Sequence, residues 1–305
     1  MLVSLKKILI KAQRGKYAVP AFNINDLEIL QAIMVAAKRL KSPVIIQASE
    51  GAIKYAGMKN LVNMVKVASK GKIPVVFHLD HGKDLRVVKQ AIKSGFTSVM
   101  YDGSKFSFKK NLRLTKKVVG WARKKGVSVE AELGALKGVE DLVSVSEKEA
   151  ILTNPKQVGE FVAKTGCDAL AIAIGTSHGA YKFKGMAKLD MKRLQEIKKN
   201  VKIPLVLHGA SGVPQELVNL IKKCGGDVGN AKGNSPTEIR KAIKQGICKI
   251  NIDTDLRLAF TAGVRCKLQK DKKVIDPRKI LGEAKELIEK VAEDKIKLCG
   301  SQNKI

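Results

Sequence analysis

Eight short β-forming runs recur along this chain, each followed by an amphipathic helical stretch. They are AVPAFNI from Ala18, PVIIQAS from Pro43, PVVFHLDH from Pro74, SVMYDG from Ser98, SVEAELG from Ser128, ALAIAIG from Ala169, PLVLHGA from Pro204 and KINIDTD from Lys249. Several are near-continuous Val, Ile, Leu and Ala, the pattern of parallel strands buried on both faces. The stretches between them, such as DLEILQAIMVAAKRL and LRVVKQAIKSG, mostly end in Gly or just before a Pro-led strand. Run starts lie roughly 23 to 45 residues apart, the length of a βα unit. Eight units in about 250 residues predict an α/β fold, a (β/α)8 TIM barrel. A doubly wound open sheet is the competing arrangement; the count of eight and the lack of a GxGxxG after a strand count against it. Residues 1–305 read as a single barrel domain with a C-terminal helical extension, DPRKILGEAKELIEKVAEDKIKLCG.

Composition narrows the class. No stretch approaches the roughly 20 unbroken apolar residues of a membrane helix, and the start is too interrupted by Lys for a signal peptide. A cytoplasmic protein with no membrane partner is expected. Five cysteines, far apart and without a CxxC pair, predict reduced thiols rather than a disulfide framework. The net charge of +30 fits either a nucleic-acid surface or a solvated lysine-rich one that steers anionic substrates. Lysines spread over nearly every helix and few aromatic residues favour the second reading, against nucleic acid.

Active sites of such barrels lie at the C-terminal rim of the strands. The rim collects Asn23, Ser49, Asp80, His81, Asp102, Glu132, Gly175, His178, Gly179, His208, Gly209, Ser211, Asn251, Asp253, Thr254 and Asp255. All four histidines of the chain sit at or just beyond ends of strand runs. His81, His178 and His208 offer three imidazoles, a catalytic zinc set with an open position. His78 fits neither a shared helical nor a shared strand face with His81 and reads as a supporting group. Gly-rich turns beside two of the ligands, GTSHG and HGASG, can cradle a phosphate together with Thr254 and nearby Lys182. A Lewis-acid metal beside a phosphate site suggests chemistry on a sugar-phosphate carbonyl. Asp80, directly before a ligand, is placed either to move a proton or to support an imidazole. Glu140 lies in the polar segment 135–150, read as a loop that can close as a lid.

These residues resemble a known family. The motifs QASEGAIKYAG, HLDHG, GFTSVM, SVEAELG, AIGTSHGAYKFKG, LVLHGASG and NIDTD are similar, over nearly the whole chain, to those of class II (zinc-dependent) fructose-1,6-bisphosphate aldolases. The resemblance implies reversible cleavage of a sugar bisphosphate into two triose phosphates, dihydroxyacetone phosphate and glyceraldehyde-3-phosphate. It implies Zn2+ on His81, His178 and His208, with Glu132 as an alternative ligand, and a monovalent cation (Na+ or K+) near the zinc-side phosphate. Asp80 then takes the C4 hydroxyl proton and Glu140 protonates the enediolate. Gly179, Gly209, Ser211, Asp253 and Thr254 form the cradle for one phosphate, near Lys182, and Asn251 holds the enediolate. Asn23 stands on the same rim among the substrate contacts. Ser49 and Arg257 lie near the other phosphate, and Arg278 reaches a neighbouring subunit, implying a homodimer or homotetramer. The sibling tagatose-1,6-bisphosphate aldolases share the metal motif and are the alternative.

Overall fold

The computed structural model describes residues 1–135, 137–140, 143–145, 151–178, 189–229 and 231–305, with backbone alone for 137–140, 143–145 and 177–178. Eight strands close into a parallel barrel: β1 (Val19–Asn23), β2 (Val44–Ser49), β3 (Val75–Gly82), β4 (Ser98–Tyr101), β5 (Ser128–Leu133), β8 (Ala169–Ile172), β10 (Leu205–Leu207) and β11 (Ile247–Ile252). Each of the eight sequence runs supplies one of them. Neighbours follow chain order, and β1 pairs with β11 to close the ring, Ala21 opposite Asn251.

Side chains alternate across a strand, so every second residue faces the barrel lumen. Along that face polarity rises from bottom to top. Val19 and Ala21 lead to Asn23; Ile45 leads to Gln47 and Ser49; Val76 leads to His78 and Asp80. The apolar floor is completed by Ala169, Ala171, Val206 and Cys248 and sealed by the helix Leu5–Arg14. That helix buries Leu5, Ile8, Leu9 and Ala12, one stripe at helical spacing. Ser4 caps its start by accepting a hydrogen bond from the Lys7 amide. The outward faces form a second, larger core under the outer helices, including the C-terminal helix Pro277–Cys299, which packs on β1 and on the helices Leu27–Arg39 and Thr254–Lys270.

Two sequence expectations are corrected. The segment 135–150 is not simply a polar loop: Lys137–Glu140 (β6) and Val143–Val145 (β7) form an antiparallel hairpin. β6 also pairs in parallel with Ser177–His178 (β9), Gly138 opposite His178. Its polar, Gly-containing sequence hides this because the pairing partner lies some 40 residues away. Cys224 and Cys266 are joined in a disulfide across 42 residues. The helices Gln215–Lys223 and Thr254–Lys270 pack side by side, which brings their Cα atoms to 5.0 Å. Cys167, Cys248 and Cys299 are buried thiols, as expected.

The floor helix closes the lumen through few residues, so its packing should matter out of proportion to its length. Leu9→Ala, at a fully buried position, is expected to cost about 2–5 kcal/mol, read from urea or thermal unfolding. A loss below 1 kcal/mol, on the order of a surface substitution, would show that the helix is not part of the cooperative core.

Candidate active site

The top of the lumen holds an unusual density of buried charge. Asp80, Asp102, Glu130 and Glu132 are all nearly or fully inaccessible, and so are His78, His81 and His208. Within this cluster one ammonium stands among the described residues, that of fully buried Lys249. Burying unbalanced carboxylates is expensive unless a cation answers them.

Local backbone geometry decides which groups meet. Asp80 follows the lumen-facing alternation of β3. His81, next in sequence, would point outward in a regular strand. It instead adopts a left-handed φ of 46°, and the β3–β4 register shifts between Leu79 and Gly82. Such a φ costs a non-glycine residue about 1–2 kcal/mol; here it brings two consecutive side chains to one point. The His81 and His208 rings meet edge-on, centroids 4.6 Å apart. Ligand atoms of Asp80, His81 and His208 lie within 4.8 Å of one another, and so do those of His81, Asp102 and Glu132.

Each imidazole is oriented from behind. His81 Nδ1 lies 3.0 Å from Asp102 Oδ2, and Asp102 is itself held by the Ser104 hydroxyl at 2.6 Å. His208 Nε2 lies 2.8 Å from Glu130 Oε1. The opposite ring nitrogens are thereby presented to the lumen, as in carboxylate–histidine–metal triads. Glu130 Oε1 also accepts from Lys249 Nζ at 3.2 Å, and Oε2 forms an ion pair with the same ammonium at 3.1 Å. His78 sits one layer down, with Nδ1 2.9 Å from Ser98 Oγ and Nε2 3.6 Å from Glu130. Glu132 Oε2 is buried and accepts no hydrogen bond among the described residues; it lies 3.7 Å from His81 Nδ1 and 4.0 Å from His208 Nδ1.

Proton affinities report the same excess of negative charge. Burial by itself would push His81 down, but Asp80, Asp102 and Glu132 override it and hold its pKa at about 10. Glu132 is pushed well above the usual carboxylate range by burial and by Asp102, with Glu130 and Asp80 adding to the push against His81. Asp102 resists the upward push of its burial and stays below the usual range through its hydrogen bond and charge contact with His81. Burial and Lys249 keep His78 neutral. With protons alone, the cluster offsets its negative charge through the raised proton affinities of His81 and Glu132. A divalent cation would do so with two charges at one point, so the donor set fits a metal.

The Asp80 carboxylate is held by two amides. Asn23 Nδ2 donates to Oδ2 at 2.9 Å and Asn251 Nδ2 to Oδ1 at 3.0 Å. Both amides are themselves oriented: Gln47 Nε2 donates to Asn23 Oδ1 at 2.7 Å and Lys249 Nζ to Asn251 Oδ1 at 2.7 Å. Lys has only donors to offer, so Asn251 must turn its NH2 towards Asp80.

Beside this cluster lies a candidate anion cradle. The helix Thr254–Lys270 begins at the rim, where the helix dipole favours a phosphate. Fully buried Asp255 accepts the Gly212 and Val213 amides at 2.9 and 2.8 Å and meets Lys295 at 2.5 Å. The loop after β10 is thereby clamped to the C-terminal helix. The Asp253 amide approaches Ser211 Oγ at 3.4 Å. Arg257 pairs with Asp253 through two contacts of 2.9 Å. The Gly-rich segment before the helix Pro236–Lys244 supports this loop: Asn234 Nδ2 donates to Gly209 O at 2.8 Å. A Cβ on Gly233 would lie 2.5 Å from Ser211 O and Gly212 C, so only glycine lets the two backbones approach.

Of the sequence candidates, Asp80, His81, His208, Glu132, Asn23 and Asn251 meet in one cluster. Gly209, Ser211, Asp253, Thr254 and Arg257 lie together beside it. Ser49 caps the helix Glu50–Ala56, accepting the Ala52 amide at 3.1 Å. Arg278 is a surface residue paired with its own Asp276 at 2.9 Å, outside this chain's cluster. The side chains of His178 and Glu140, and all of Gly179 and Lys182, lie outside the described residues. The sequence reading missed Glu130, Lys249 and Gln47 as parts of the site. Their signal is alternation: Glu130 and Glu132, then Lys249, Asn251 and Asp253, put polar groups two apart inside apolar strands.

Fold and site define a barrel enzyme with a candidate metal centre and an anion cradle on its rim. The family model for class-II fructose-bisphosphate aldolase matches residues 3–304. The chain is 52% identical over 301 residues to a fructose-bisphosphate aldolase of Thermus caldophilus, covering 99% of each. It is 45% identical to that of Giardia intestinalis, covering 98% of this chain and 93% of the other. A crystal structure of a putative fructose-1,6-biphosphate aldolase from Coccidioides immitis superposes with a TM-score of 0.84 at 31% identity, covering 98% of this chain and 97% of that one. The YdjI aldolase of Escherichia coli K12 gives 0.79 at 32%, covering 100% and 99%. The chain belongs to the class-II fructose-bisphosphate aldolase family and is an aldolase, a lyase.

Lys249→Met is expected to destabilise the protein by about 3–5 kcal/mol, because it leaves Glu130 buried without its cation. Adding Glu130→Gln should recover much of the loss in a double-mutant cycle of chemical denaturation. Additive losses would show that the two charges are not coupled.

Proposed function

We propose that this chain catalyses the reversible aldol cleavage of fructose-1,6-bisphosphate to dihydroxyacetone phosphate and glyceraldehyde-3-phosphate. The observation that carries the reading is the buried cluster itself: two oriented imidazoles and the buried carboxylate of Glu132 beside an aspartate gripped by two amides, next to a candidate anion cradle. Curated relatives named fructose-bisphosphate aldolase, matched over their full length, favour the fructose over the tagatose substrate.

His81 and His208 would hold a divalent metal with His178, and Glu132 is a further donor. Zinc suits imidazole ligands with an open position. Bound there, it would supply Lewis-acid polarisation of the substrate carbonyl. Every other step belongs to side chains. Asp80, oriented by Asn23 and Asn251, takes the C4 hydroxyl proton as the C3–C4 bond breaks, and returns it in the condensation direction. The electron pair of that bond stays on C3 of the dihydroxyacetone-phosphate half, and Glu140 protonates that carbon. Pairing of β6 with β9 supports the assignment, since it ties the backbone bearing Glu140 to the backbone bearing His178. Ser211, Asp253, Thr254 and the backbone of Gly209 take one phosphate, with Gly179 and Lys182 completing the cradle. Arg257 and Ser49 lie towards the other phosphate. A monovalent cation beside the first phosphate would add to its binding.

We assign the whole chain to one catalytic unit working in the cytoplasm as a homo-oligomer. Arg278, exposed at a helix start and free of the chain's own cluster, supports a site completed by a neighbouring subunit.

The experiment is cleavage of fructose-1,6-bisphosphate beside tagatose-1,6-bisphosphate by purified protein, with and without EDTA and zinc add-back. Fructose cleavage abolished by EDTA and restored by zinc is expected. Asp80→Asn, which keeps the shape but cannot take a proton, should lower kcat about 100-fold or more while leaving bound zinc unchanged. Tagatose preference would overturn the substrate assignment. Zinc-loaded protein inactive on both would overturn the reaction.

A further inference from the structure

The aldol site uses none of the charge on the barrel flank formed by the helices Leu85–Ser94 and Phe108–Arg123. Residues 103–129 hold nine Lys and Arg and no Asp or Glu. The helix Phe108–Arg123 buries Asn111, Thr115, Val118, Val119 and Ala122. Its exposed positions are Lys109, Lys110, Arg113, Lys116, Lys117, Gly120 and Arg123, all cationic except the glycine. The neighbouring helix adds exposed Arg86, Lys89 and Lys93. None of the nine cations of 103–129 pairs with a carboxylate among the described residues. The flank at the C-terminal helix is built differently: Arg39 meets Glu289 and Glu293, Lys270 meets Glu283, and Lys290 meets Glu216.

This row works against the helix that carries it. Lys109 and Arg113, then Arg113 and Lys117, stand one turn apart and repel. Lys109 and Lys110 sit in the first turn, where the helix dipole disfavours cations and no acid is present. No carboxylate among the described residues answers these charges, so a partner for them is sought outside the chain. A second copy meeting this one through the same flank does not supply it, because like would face like. A lipid surface fits poorly, because the helix spends its apolar side on the barrel and exposes no residue to enter a bilayer.

Two half-buried aromatic rings stand within the row, each with two flexible lysine ammonium groups over its ring, which a stacking base would displace. Lys105 and Lys110 lie 5.1 and 3.9 Å from the Phe106 ring centroid. Lys89 and Lys117 lie 5.5 and 5.3 Å from that of Trp121. At exposed Gly120 an added Cβ would meet nothing within 4 Å, so the helix surface is open beside Trp121. Cations spaced along about 24 Å of helix, with aromatic faces near both ends, match a strand that alternates phosphates and stackable bases. We propose that this flank binds single-stranded nucleic acid, with phosphates on the Lys and Arg row and bases against Phe106 and Trp121.

The test titrates the full-length protein with labelled oligonucleotides of one sequence, as RNA and as DNA, by fluorescence anisotropy. Emission is followed in parallel from Trp121, the only tryptophan in the chain. Binding of either strand type with quenching of Trp121 is expected. Six neutralised phosphates give a slope of log K against log salt of about −4, so a threefold rise in salt should weaken binding about 100-fold. R113E/K116E/K117E should abolish binding and leave aldol cleavage unchanged. K222E/K223E/K244E, an equal charge change on other outer helices, should bind nearly as the parent does. Equal loss in both triple variants, no binding of either strand type at low salt, or binding only to phosphatidylserine vesicles would overturn the proposal.

Discussion

Everything at the top of this barrel answers to one electrostatic constraint: several carboxylates are buried together with too few cations. Asp80, Asp102, Glu130 and Glu132 reach the lumen from β3, the β4 end and β5, while among the described residues a single ammonium, that of Lys249 from β11, stands among them. In a low-dielectric interior such a cluster is tolerable only when each member is gripped and the remaining charge is met. The structure grips three of the four. Asp102 has Ser104 and His81, Glu130 has Lys249 and His208, and Asp80 has Asn23 and Asn251. Glu132 is the member left over among the described residues, and it stands against both imidazoles. The charge that remains fits a metal cation.

The same network explains how direction is imposed on chemically ambiguous groups. An asparagine can present oxygen or NH2, and an imidazole either nitrogen. Lys249 resolves Asn251, Gln47 resolves Asn23, Asp102 resolves His81 and Glu130 resolves His208. Residues one layer below the rim thus determine what the rim offers a substrate. The fold supports that layering because lumen-facing positions change from apolar to polar along each strand, leaving the floor to hydrophobic packing and the helix Leu5–Arg14.

Much of this is legible in the sequence. Apolar runs mark the eight strands because parallel strands buried on both faces cannot hide among polar residues, and histidines at their ends mark the rim. Other features depend on contacts that no local pattern carries. His81 reaches the lumen only through its left-handed backbone, which a strand-like HLDH does not announce. The β6–β7 hairpin is polar and forms against β9, a partner far along the chain. The Cys224–Cys266 bond joins helices whose proximity follows from barrel closure. Glu130 and Lys249 are visible as charges inside apolar runs, but their pairing across the lumen becomes evident only once β5 and β11 face each other. The basic row of the helix Phe108–Arg123 is hidden by the spread of lysines elsewhere; it stands out only when exposure separates its cations from the paired ones.

Above all, a divalent cation should replace protons in this carboxylate–imidazole cluster. The direct measurement is calorimetric titration of metal-free protein with zinc at neutral pH, in buffers of different ionisation enthalpy. His81, with its pKa held at about 10, carries a proton there and must lose it to bind metal. One zinc per chain is expected, with protons released to the buffer, and tight binding should be lost in His208→Ala. Zinc binding without proton release, or binding indifferent to His208→Ala, would contradict this exchange.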